Sequence, residues 1–135
     1  MKVTTQTFGT VMIIDDNNID LYVTSRMMTK NSFGENILEY SYAQEALQYL
    51  IDHENDFQRL PEVILVDIYM PMMSGFEFME HYDKLNAEFK RRCKVYIVSS
   101  TIDQTDINRT KTDPNISGFQ EKPVTKEFLQ QIINS

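Results

Sequence analysis

The sequence predicts an α/β protein, one parallel β-sheet covered by helices on both faces. Three observations predict it. Strand-like runs are continuous in Val, Ile and Leu, as in Val11-Met12-Ile13-Ile14 and Val63-Ile64-Leu65-Val66, the pattern of a strand buried on both faces. Segments with helical spacing of apolar residues alternate with these runs. The alternation repeats five times, which calls for parallel strands joined by crossover helices.

The elements follow in order. Val11–Ile14 is the first strand. Ile19, Tyr22, Val23 and Met27, spaced i, i+3, i+4, i+8, are read as the buried face of the first helix. Ile37–Tyr42 is the second strand. Ala43, Ala46, Leu47, Leu50 and Ile51 form the cleanest helical stripe in the chain. Pro61 introduces the third strand, Val63–Val66, and Phe78, Tyr82, Leu85 and Phe89 mark one third helix. Val95–Val98 is the fourth strand. The segment Ile102–Asp113 has only Ile102 and Ile107 as apolar anchors, so its helix is expected to be short or marginal, ended by Asp113-Pro114-Asn115. Gly118-Phe119 lies in a short fifth strand. Thr125 caps a last helix, with Val124 and Leu129 as a staple and Phe128, Leu129, Ile132 and Ile133 on its buried side.

Composition narrows the function. A chain of 135 residues is expected to form one domain filling positions 1–135, with its core over about 9–134 and no separate output domain. The net charge is −7, which disfavours direct nucleic-acid binding, since that is driven by phosphate neutralisation. The basic cluster Lys90-Arg91-Arg92 with Lys94 is read as a solvated helix end. The single cysteine, Cys93, permits no intrachain disulfide and is read as structural. No apolar stretch reaches the length of a membrane span, and Met1 to Gly9 lacks a charged-then-apolar leader pattern. A cytoplasmic protein without membrane contact is the expectation. His53 and His81 have no metal-ligand spacing.

The chemistry collects at the strand ends. Asp15 and Asp16 follow the first strand, Asp67 the third, Ser99 and Ser100 the fourth, and Lys122 and Pro123 the fifth. In a parallel sheet all of them reach one edge, where such sheets carry their sites. Three clustered carboxylates repel one another unless a cation joins them. Mg²⁺ accepts oxygen ligands and keeps several waters, so a few carboxylates are sufficient. A carboxylate can also act as a nucleophile toward phosphorus. The charge on a transferred phosphoryl group then needs cationic and hydrogen-bonding partners, for which Lys122 and the Ser99 hydroxyl are available.

Four segments, Ile14-Asp15-Asp16-Asn17, Asp67 to Gly75, Val98-Ser99-Ser100 and Phe119-Gln120-Glu121-Lys122-Pro123, resemble in order and spacing the receiver domain of two-component response regulators, the CheY-like family. The resemblance covers essentially the whole chain. It implies a flavodoxin-like doubly wound sheet of five strands in the order 2-1-3-4-5. It implies that Asp67 is the phosphoacceptor, and that Asp15, Asp16, Asp67 and the backbone carbonyl of Tyr69 hold Mg²⁺ or Mn²⁺. Lys122 would pair with the acceptor and later with the phosphate, and a cis peptide would precede Pro123. Ser99 and Phe119 would form the switch, with Phe119 in place of the frequent tyrosine. Tyr69 and Thr101 occupy positions that face attacking water in the family. The implied partners are a sensor histidine kinase or histidine phosphotransfer protein and a downstream target protein, with phosphorylation-dependent assembly, a dimer included. Such a chain catalyses at most its own aspartyl phosphorylation and dephosphorylation and is not a metabolic enzyme.

Other readings stay open at this level. A phosphohydrolase using an aspartyl phosphate would place a second acid two residues after the nucleophile, where Tyr69 stands. A flavin carrier would need a phosphate loop after the first strand, where Asp15-Asp16-Asn17 stands. A receiver-like scaffold that binds partners without phosphorylation is the remaining alternative, set against the fact that all the chemical positions are filled.

Overall fold

The structure, a computed structural model, describes residues 7–135; the reading of Met1 to Gly9 for a leader pattern falls mostly outside them. Five parallel strands, β1 (Phe8–Ile14), β2 (Gly34–Tyr40), β3 (Val63–Val66), β4 (Lys94–Ser99) and β5 (Ile116–Glu121), run in the order β2-β1-β3-β4-β5. This is the predicted flavodoxin-like order. β1 and β3 lie in register from Val11↔Val63 to Ile14↔Val66, so both end at the same level and release Asp15 and Asp67 side by side. The helices are α1 (Asn18–Lys30), α2 (Ala43–Asp52), α3 (Gly75–Tyr82), α4 (Ala87–Arg92), α5 (Gln104–Thr112) and α6 (Lys126–Asn134).

Strand alternation divides the core in two. Val11, Ile13, Val63, Leu65, Tyr96 and Val98 face α1 and α6. Met12, Ile14, Ile64, Val66, Val95 and Ile97 face α2, α3 and α4. Both sets are buried, which is why β1, β3 and β4 read as continuous apolar runs rather than alternating ones.

Several expectations are corrected. The buried face of α1 is Leu21, Thr24 and Met28, with Met27 half-buried, whereas Ile19, Tyr22 and Val23 are 74%, 61% and 45% exposed. Two stripes of similar spacing compete on this helix, and periodicity alone cannot choose between them. Asn17 caps the helix by accepting from the amides of Ile19 and Asp20 at 3.0 Å, and Leu21 and Met28 pack against the sheet. β2 begins three residues earlier than expected and ends at Tyr40. Its start is polar because it is an edge strand, and Gly34 lies so close to β1 that a Cβ there would meet Val11 Cγ2 at 2.8 Å.

The single third helix is two. α3 stops at Asp83, and Asn86 starts α4 by accepting from the amides of Glu88 and Phe89 at 2.8 and 3.1 Å. The stripe Phe78, Tyr82, Phe89 still packs into one cluster, so the apolar pattern runs across a break that it does not register. The helix expected to be short or marginal, α5, is short at nine residues but well capped rather than marginal. A capping box supports it: Asp103 accepts from the Asp106 amide at 2.9 Å and Asp106 accepts from the Asp103 amide at 3.2 Å. It ends at Asp113, before Pro114, as predicted.

In α2 the expected stripe is buried at Ala43, Ala46, Leu47 and Leu50 but not at Ile51, which is 47% exposed, and in α6 Ile133 is only partly buried. Thr125 caps α6 by accepting from the Phe128 amide at 3.1 Å. Val124, Phe128, Leu129 and Ile132 are buried together. The basic cluster is solvated: Arg91 and Arg92 pair with Glu88, Lys90 pairs with Asp83, and Arg92 also stacks on Phe57. Cys93 is buried, and burial pushes its thiol up to about 12.

Candidate functional site: an acidic cluster at the carboxyl edge of the sheet

The chain leaves β1 at Asp15, whose amide donates to Tyr40 O at 3.0 Å as the last rung toward β2. It leaves β3 at Asp67, whose amide donates to Ile14 O at 3.0 Å. These two bonds extend the sheet ladder into the turns and hold both aspartates at fixed height. Asp15 and Asp67 are 4% and 7% exposed, while Asp16 is exposed. One carboxylate oxygen from each of Asp15, Asp16 and Asp67 falls within a span of 4.8 Å. Hard oxygen donors at this separation suit a divalent cation that keeps water in its remaining positions.

Lys122 enters from the turn after β5, its amide bonded to Ser99 O at 2.9 Å. The peptide joining it to Pro123 is cis. Its Nζ lies 2.8 Å from Asp15 Oδ2, 2.9 Å from Asp20 Oδ2 and 3.1 Å from Asp67 Oδ2. Burial opposes the lysine's charge, but the hydrogen bonds to Asp15 and Asp20 and the charges of Asp15 and Asp67 outweigh it and hold its pKa above the ordinary value. Burial pushes the Asp15 carboxyl up, against the pull of Lys122 and the Asn17 amide.

Gly75 ties the turn after β3 to α3. Its amide donates to Ile68 O at 2.7 Å. A Cβ there would meet the Asp67 carbonyl oxygen at 2.2 Å, so only glycine lets the helix start this close. Ser74 caps the same helix in a capping box with Glu77.

The structure thus brings Asp15, Asp16, Asp67 and Lys122 together, with Ser99 at the end of the adjacent strand and 1% exposed. Tyr69 is on the same edge, 55% exposed, its ring turned away over α5, where its hydroxyl donates to Asp106 Oδ2 at 2.7 Å. This hydrogen bond raises the phenol above its ordinary pKa. Thr101 is exposed in the loop between β4 and α5. Phe119 stands apart on edge strand β5, level with Ile97 and 37% exposed.

The sequence reading missed Asp20, Asp106 and the bonds they make. Asp20 carried no signal beyond that of an acidic residue in the first turn of a helix. Asp106 had one, as the fourth residue of the Asp103–Asp106 capping pattern.

The chain matches the response regulator receiver domain family over residues 11–134. A two-component response regulator from Cytophaga hutchinsonii superposes with a TM-score of 0.86 at 23% identity, covering 93% of this chain and 94% of the other. A response regulator receiver protein from Dyadobacter fermentans gives 0.79 at 29% identity, again over 93% and 94%. The sensor histidine kinase CheAY of Helicobacter pylori is 28% identical over 123 residues, which is 91% of this chain but 14% of that protein. Sheet order, acidic edge and family match agree, and the chain belongs to the response regulator receiver domains of two-component signalling.

Proposed function

We propose that the chain is a phosphorylation-controlled switch in which Asp67 accepts a phosphoryl group. The observation that carries this reading is the environment of Asp67. It is a buried carboxylate with a lysine at 3.1 Å and two further aspartates within metal-sharing distance.

Receiver domains bind Mg²⁺ at such an acidic cluster. In this chain Asp15, Asp16, Asp67 and the Tyr69 carbonyl would hold it, and when bound it supplies positive charge against the phosphoryl oxygens. An Asp67 carboxylate oxygen attacks the phosphorus of a phosphohistidine on a kinase or phosphotransfer protein. The phosphorus–nitrogen bond breaks, its electron pair stays on the imidazole, and the imidazole takes up a proton from water. Lys122 neutralises one phosphoryl oxygen and the Ser99 hydroxyl donates to another.

The new oxygens draw Ser99 inward, and Phe119 follows into the space vacated. The surface of α5, β5 and α6 then changes its affinity for a downstream protein or a second copy of the chain. The size of that shift depends on how differently the phosphoryl group interacts with the two packings.

The test is acetyl phosphate with Mg²⁺, followed by intact-mass measurement. One added phosphoryl group is expected, lost in Asp67→Asn. No addition at any Mg²⁺ concentration overturns the reading and leaves a scaffold that works without phosphorylation.

A further inference from the structure

Lys122 has one more acidic partner than the proposed chemistry uses. Asp20, the third residue of α1, reaches its Nζ at 2.9 Å, as close as Asp15 at 2.8 Å and closer than Asp67 at 3.1 Å. The backbone places Asp20 firmly, since its amide donates to the Asn17 cap at 3.0 Å. Its side chain is 38% exposed, against 6% for Asp15 and 9% for Asp67. The lysine is therefore shared between two buried carboxylates and one at the solvent rim. On that rim a cleft lined by Val23, Thr24, Ser100 and Pro123 opens beside Asp20 and Lys122.

An ammonium group has three protons to donate, and here three carboxylates surround it. A phosphoryl oxygen that needs Lys122 must displace one of them. Asp15 and Asp67 belong to the close group of three carboxylates that suits a cation, and Asp20 lies outside it. Asp15 and Asp67 would be the ligands of a cation held there, which would weaken their hold on the lysine and leave Asp20 as the rival of the phosphoryl group. Asp20 also adds a negative charge beside the path of an anionic donor.

We infer that Asp20 is a positioning residue that holds Lys122 against α1 and weakens the site's hold on phosphoryl groups and small anionic donors. The inference rests on Asp67 being the phosphoacceptor. In this arrangement the lysine is ready but occupied, and its transfer to the phosphoryl group is a competition whose terms Asp20 sets.

The test compares wild type, Asp20→Asn and Asp20→Glu, each with Mg²⁺. Asp20→Asn is close to isosteric and removes only the charge. It is expected to bind beryllofluoride, which mimics a phosphoryl group on a carboxylate, about three- to tenfold more tightly. The half-saturating acetyl phosphate concentration falls by a similar factor, with a smaller change in maximal rate. Asp20→Glu retains the wild-type values. The difference between wild type and Asp20→Asn shrinks as salt rises, because Asp20 is partly exposed. The ¹⁵N resonance of the Lys122 ammonium shifts in Asp20→Asn before any ligand is added, which a purely structural role would not produce. Unchanged or weaker beryllofluoride binding in Asp20→Asn, with wild type still binding, overturns the inference and leaves the acceptor role of Asp67 intact. Failure of wild type to take up either compound overturns both.

Discussion

Helices α1 and α5 flank the same acidic edge and break the ordinary rule of burial in opposite directions. α1 exposes Ile19, Tyr22 and Val23 and rests on the sheet through Leu21, Thr24 and Met28. α5 buries Asp106 and Thr110 and has no fully buried apolar residue of its own. One helix is anchored by apolar contact; the other is tied to the loop after β3 by the Tyr69–Asp106 hydrogen bond at 2.7 Å, while its capping box and the Thr110 hydroxyl to Ile107 O bond hold the helix together from within. Apolar burial is lost only when the whole contact opens. A hydrogen bond can be exchanged for one to water at small net cost. α1 is therefore built to stay and α5 to move, which suits a site whose proposed output lies on the α5 side.

The comparison breaks most visibly at Met28. Met28→Ala is expected to destabilise the fold by about 2–5 kcal/mol, read by urea unfolding, because it empties a fully buried position. A loss under about 1 kcal/mol would show that α1 is not anchored there. Asp106→Ala should lose less, about 1–2 kcal/mol, by removing an acceptor of the capping box and of Tyr69. Its signature is local: amide exchange accelerates across α5 and not across α1. Uniform acceleration in both helices would erase the distinction.

Tyr69→Phe tests the bond from the other end, with a loss smaller than that of Asp106→Ala in the same urea unfolding, because Tyr69 is half-exposed. The raised phenol also sets the sign of its pH dependence. The folded state holds this proton more tightly than the unfolded chain does. Its contribution is complete below the ordinary tyrosine value of 10.0 and is lost as pH rises through the higher folded value. The stability difference between wild type and Tyr69→Phe should therefore stay constant from neutral pH to the tyrosine range and close above it. The smallest effect belongs to Ile19→Ser, within about 0.5 kcal/mol of wild type, since its side chain meets solvent. A loss of 2 kcal/mol would restore the helix rotation that the sequence pattern favoured.

The sequence was most legible where one physical requirement dominated. β1, β3 and β4 are buried on both faces, so their apolar runs admitted one reading and placed Asp15, Asp16, Asp67 and Ser99 at the strand ends. It was least legible where two solutions fit one pattern. α1 carries two stripes, and the choice lay in packing against the sheet, where Leu21 and Met28 join its core cluster. The break between α3 and α4 left the spacing of Phe78, Tyr82 and Phe89 intact and showed only in Asn86. Asp20 is an ordinary first-turn acid until the fold brings Lys122 to it across 102 positions of sequence.

The contact of Gly75 with Asp67 has a practical consequence. Because α3 begins on the carbonyl of that aspartate, the two form a single body, and α3 supplies a stationary frame from which displacement elsewhere can be gauged. A probe on the exposed Glu80 of α3, paired with one on Lys111 at the far end of α5, would report the travel of α5 as one distance, uncorrupted by motion of its own reference point.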